Sequence, residues 1–134
     1  MSRAIYRLKI DHVDGDLFEA SSPAGGRVLI GPKGAPEAFT PVELLLAGLA
    51  GCMGIDLAMV AREDGVALEG FTVSTRGSRP LDGVGLDGIR VEYAVDESLV
   101  GEVTGYLERV SEICTIGVTI DGPDCQVTKT VRAA

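Results

Sequence analysis

The polar and apolar positions of the chain change period several times, and each change marks an element. From Ala4 to Ile10 every second residue is apolar, with Tyr6, Leu8 and Ile10 on one face, which is the pattern of a half-buried strand. Val13-Asp-Gly-Asp16 supplies a turn, and further short strands are predicted from Leu17 to Ala20 and from Arg27 to Ile30. Beyond the loop Gly31 to Pro36 the period lengthens. Thr40 suits an N-cap, Pro41 the first helical position and Glu43 the third, a capping box in which side chains and backbone satisfy each other's orphan groups. That helix is predicted to run to about Glu63 and to stop at Asp64-Gly65. Period two returns in Phe71 to Thr75 and Ile89 to Val95, two strands joined by the Gly-, Pro- and Asp-rich loop from Gly77 to Gly85. From about Ser98, Leu99, Val103, Tyr106, Leu107, Val110, Ile113 and Cys114 recur at three and four residues, the stripe of an amphipathic helix. Ile116 to Ile120 and Gln126 to Arg132 are predicted to close the chain as two strands around the turn Asp121-Gly-Pro-Asp124. The expected order is βββ-α-ββ-α-ββ, an α+β fold in one domain, 1–134.

The first helix is unusual. From Leu44 to Ala61 its only charge is Asp56, and the run is long enough to raise the question of a membrane span. Asp56 interrupts it and Gly48, Gly51 and Gly54 dilute it, so it is read as a buried helix of a protein that does not enter a membrane. A chain of 134 residues with one other helix can hardly cover such a helix on every side, and a second copy of the chain is the simplest cover. A homodimer is therefore expected. The three glycines would let another backbone approach closely, or they only fit tight packing within one subunit.

Composition narrows the function. With 46% hydrophobic residues, 4% aromatics and no Trp, the core must be aliphatic. Twelve basic against twenty acidic residues give a net charge of -8, which repels phosphate backbones and argues against nucleic acid as a partner. The N-terminus lacks the unbroken apolar core of a signal peptide, so a cytoplasmic protein is expected. Three cysteines, Cys52, Cys114 and Cys125, are an odd number without a CxxC pair, and His12 adds nothing at ligand spacing. Neither a disulfide framework, a metal site nor a cofactor is expected.

Two of these thiols sit on the two helices that must pack against the same core, Cys52 within the first and Cys114 at the end of the second. They are either small core hydrophobes or the attacking and resolving thiols of a redox cycle. The nearest basic residue to Cys52 in sequence is Arg62, ten positions on, so a reactive thiolate needs a cation delivered by the fold. Cys125 matches no motif, and Asp56 must find a partner or water.

The stretch from Phe39 to Asp56, FTPVELLLAGLAGCMGID, resembles the first cysteine motif of the OsmC/Ohr family of osmotically induced and organic hydroperoxide resistance proteins, and Cys114-Thr-Ile-Gly117, 62 residues after Cys52, resembles its second. The resemblance implies an intertwined homodimer with sites at the subunit interface, Cys52 as peroxidatic and Cys114 as resolving cysteine, an organic peroxide as substrate and an external dithiol as reductant. It also implies an arginine that holds the thiolate, for which Arg27 is the candidate because its strand precedes the loop into the Cys52 helix. The family's hydroperoxidases carry a catalytic Glu ten residues before the first cysteine. Here Val42 holds that position and Glu43 follows it, while Thr115 and Gly117 also depart from the second motif, so the chain resembles the OsmC-like branch more than the peroxidases. Within one helix Glu43 lies roughly 13 Å from Cys52 along the axis and on the opposite face. It serves either a site in the partner subunit, an arginine, or only the helix cap. A ligand-binding module on the same fold and a hotdog-type thioesterase are the alternative readings, and the amphipathic helix between strand pairs argues against the second.

Overall fold

The structure, a computed structural model, describes residues 2–134. The chain forms two compact units, one ending at Leu45 and the other running from Leu46 to Ala134.

The first unit is a three-stranded antiparallel sheet in the order β1 (Lys9–Asp14), β2 (Leu17–Ser21), β3 (Arg27–Ile30). The hairpin predicted at Val13 to Asp16 is present, and Gly15 turns it at φ 53°, a conformation that costs a residue without Cβ little. The first strand starts at Lys9 rather than Ala4, because β2 ends its pairing at the Lys9–Ser21 partners and alternation without a partner strand does not make a ladder. Phe39 then hydrogen-bonds along β3, its N–H donating to Leu29 O at 2.9 Å and its O accepting from Gly31 N at 3.0 Å, which fixes where the chain enters the long helix.

That helix, α1 (Pro41–Glu63), begins and ends where the sequence places it. The capping box is formed: Thr40 N donates to Glu43 Oε1 at 2.9 Å and Glu43 N to Thr40 Oγ1 at 3.1 Å. By length and composition α1 could cross a membrane, with a mean hydropathy of 2.0. Its Leu57 and Val60 nevertheless belong to the aliphatic core of the second unit, together with Val103 and Val110.

In that unit β4 (Thr72–Ser78) and β5 (Gly88–Ala94) form an antiparallel hairpin. Val73, Thr75, Ile89, Val91 and Tyr93 share its half-buried face, as their alternation requires. After a 3-10 turn at Glu97–Leu99, α2 (Val100–Ile113) lays Val103 and Val110 on the core. Arg109 binds Glu63 at 2.7 Å and the Tyr106 hydroxyl donates to Asp64, tying α2 to the end of α1.

The predicted closing strand pair is not there. Residues Thr115–Asp121 form a short helix, α3, and no strand is assigned over 126–132. Alternating Ile116, Val118 and Ile120 suggested a strand, but local hydrogen bonds decide otherwise. The Cys114 Sγ accepts the Gly117 N–H at 3.3 Å, Val118 N donates to Cys114 O at 2.9 Å, and Thr119 Oγ1 donates to Thr115 O at 2.7 Å. With one strand turned into a helix, its intended partner has nothing to pair with.

Candidate functional site

Cys52 and Asp56 stand four residues apart on α1 and therefore on one face of it. The Cys52 thiol is aimed at the Asp56 carboxylate, Sγ to Oδ2 3.7 Å. The third member comes from 58 positions further on: Cys114 sits at the break between α2 and α3, where its extended backbone (φ -72°, ψ 107°) ends one helix and caps the next. The two sulfurs and a carboxylate oxygen of Asp56 all lie within 4.8 Å of one another. All three cysteines are free thiols.

The two neighbouring thiols have different surroundings. Cys114 is fully buried, at 0% exposure, whereas Cys52 and Asp56 are half-buried. Burial, and after it the neighbouring Cys52, push the Cys114 thiol above its usual range, while the Gly117 N–H works in the opposite direction. Gly117 is itself buried against this corner: a Cβ there would stand 3.4 Å from both Cys114 Sγ and Met53 Cε. Tyr93, on the inner face of β5, feels the same cluster. Burial first, then the charges of Cys114 and Asp56, raise its phenol above the usual value and keep it protonated.

Glu43 and Arg27 belong to the first unit and the thiol pair to the second. Glu43 is exposed and held by the cap, its carboxyl below the usual range because the Thr40 backbone N–H and then its hydroxyl group hydrogen-bond to it. Arg27 is exposed at the start of β3 and lines an open groove of about 660 Å³ whose walls include Ile10, Ala20, Val28 and Leu44. The ion pairs among the described residues are Lys9 with Asp11 and Arg109 with Glu63. None involves Arg27 or Asp56. Cys125 lies exposed beyond α3. The sequence pointed to both cysteines but left Asp56 without a role and did not single out Tyr93; the i, i+4 spacing of Cys52 and Asp56 was the available signal for the first, and nothing local marks the second.

An α+β protein with a paired thiol at the junction of two helices, one partner buried and the other reachable, is what fold and site define. The chain belongs to the OsmC-like protein family, whose model matches residues 33–129. No curated protein sequence matches it significantly. Among solved structures it is similar to an OsmC-like protein from Mycoplasma pneumoniae, at 23% identity over 91% of each chain with a TM-score of 0.73. It is also similar to an organic hydroperoxide resistance protein OsmC from Legionella pneumophila, at 21% identity over 90% of this chain and 93% of the other, TM-score 0.66. A third similar structure is an organic hydroperoxide resistance protein from Elizabethkingia anophelis, at 19% identity over 91% of this chain and 93% of the other, TM-score 0.56.

Proposed function

We propose that the protein reduces organic hydroperoxides through a two-cysteine cycle. The observation that carries this reading is the unequal exposure of two sulfurs within 4.8 Å of each other. Cys52, the reachable thiol, attacks as thiolate on the terminal peroxide oxygen. The O–O bond breaks, a proton is taken up by the departing alkoxide, and the products are an alcohol and the Cys52 sulfenic acid. Burial keeps Cys114 protonated at rest; its proton passes to the departing hydroxide as its sulfur attacks the sulfenic sulfur, so that water leaves and the Cys52–Cys114 disulfide closes. An external dithiol takes the disulfide back to two thiols by exchange. The apolar Met53, which packs at the same Gly117 corner as Cys114, favours an alkyl peroxide over hydrogen peroxide, since each buried CH2 contributes about 0.8 kcal/mol.

A cation beside Cys52 would offset the Asp56 carboxylate and favour the thiolate, and an arginine is the proposed source. The working form is proposed to be a cytoplasmic homodimer, which would cover the apolar residues that one chain leaves open on α1, such as Val42, Leu45 and Ile55. Consumption of cumene hydroperoxide in the presence of a dithiol tests the cycle. Wild type should consume it and Cys52→Ser should not; equal rates in both would overturn the reading.

A further inference from the structure

We propose that Cys52, Asp56 and Cys114 form a binding site for a thiophilic divalent cation of the zinc group, with the fourth coordination position open. The inference goes beyond the peroxide cycle and does not depend on it, although both use the same sulfurs.

Two thiols and a carboxylate are a donor set that zinc and its heavier congener cadmium accept, and three protein ligands with one open position is a common zinc arrangement. The spacing fits. With zinc-sulfur bonds of about 2.3 Å, tetrahedral geometry sets the sulfurs roughly 3.8 Å apart. The three donor atoms, already within 4.8 Å of one another and with Cys52 Sγ 3.7 Å from Asp56 Oδ2, need to draw in by no more than about 1 Å for such bonds. Their backbones are held by α1 on one side and by the α2–α3 junction on the other, so the donors are brought together by folding before any ion arrives. Half-buried Cys52 and Asp56 leave a way in, and Cys114 closes the back.

Charge points the same way. The ionisable groups that face one another here are Cys52, Asp56, Cys114 and Tyr93, all neutral or anionic, and no ion pair among the described residues relieves Asp56. A divalent cation would compensate this cluster and replace the thiol protons. One M2+ with two thiols and one carboxylate gives a complex of net charge -1 and two released protons.

The test uses the reduced full-length chain with Cd2+ alone as optical probe, and Zn2+ alone in competition with a chromophoric chelator. One cadmium per chain, a thiolate-to-metal charge-transfer band and release of about two protons are expected. Cys125→Ser should bind as wild type does, Cys52→Ser should lose the band, and Asp56→Asn should keep it with affinity lower by about tenfold or more. Circular dichroism of each variant separates lost binding from lost fold, and the proton count on the unmutated chain needs no variant at all. Absence of the band and of proton release in the wild type would overturn the proposal. So would undiminished affinity in folded Cys52→Ser or Asp56→Asn, or loss of the band in Cys125→Ser. A chain that binds cadmium yet leaves cumene hydroperoxide untouched would sink the peroxide cycle and support this site.

Discussion

The Cys114 Sγ accepts the backbone N–H of Gly117 at 3.3 Å, so one sulfur both caps α3 and stands beside Cys52. If Cys114 moves when the sulfurs close from up to 4.8 Å to about 2.05 Å in a disulfide, oxidation disturbs the cap. Amide hydrogen exchange at Gly117 and Val118 is expected to speed up in the oxidised protein, and unchanged exchange would show that the cap survives. In the reduced protein Cys114→Ala leaves the buried Gly117 N–H without its acceptor, at a cost of about 1–3 kcal/mol. Cys114→Ser retains an acceptor and should unfold at a higher urea concentration than Cys114→Ala.

The three thiols should react with a maleimide in an order set by access and acidity. Cys125 is exposed, Cys52 half-buried and Cys114 buried with its thiol pushed upward. Mass spectrometry of a time course at neutral pH is expected to show Cys125 modified first and Cys114 last. Modification of Cys114 ahead of Cys52 would reverse the roles proposed for them.

Glu43 gives a pH signature that separates capping from catalysis. Its folded carboxyl is lowered by the Thr40 hydrogen bonds, so its contribution is present above the ordinary carboxylate pKa and is lost as pH falls through the lower folded value. Wild type should therefore be more stable than Glu43→Gln at neutral pH, and the difference should vanish in acid. Thr40→Ala removes the other half of the box and is expected to cost about 1 kcal/mol. Peroxide consumption by Glu43→Gln at the wild-type rate would leave Glu43 as a helix cap alone.

Ile55 is 72% exposed in the middle of α1, an unfavourable place for a large aliphatic residue on an uncovered helix. If a second chain covers this face, Ile55→Arg should shift sedimentation from dimer to monomer at micromolar concentration. A wild-type protein that sediments as a stable monomer removes the dimer from the proposed function.

Leu57 is fully buried at the centre of the core cluster. Leu57→Ala should lower unfolding stability by about 2–5 kcal/mol through lost burial and the cavity left behind, measured as a drop in the urea midpoint at constant slope.

Much of this protein was determined locally and could be read from the chain. Thr40, Pro41 and Glu43 set the start of α1, Asp64-Gly65 its stop, and the alternation of Val73 with Thr75 and of Ile89 with Val91 and Tyr93 set the inner face of the hairpin, because caps and periods are properties of near neighbours. Cys52 and Cys114 were singled out by the resemblance of their flanking residues to the two OsmC/Ohr motifs. The sequence misled at residues 116–120, where alternation is compatible with a strand but a strand needs a partner, and a sulfur cap with helical hydrogen bonds was available without one. Only the tertiary structure brought Cys114 within 4.8 Å of Cys52 and Asp56, set Tyr93 in their field, and made one thiol buried and its neighbour reachable. Those relations join residues up to 62 positions apart, and such distances are settled by how a helix packs, which no local pattern encodes.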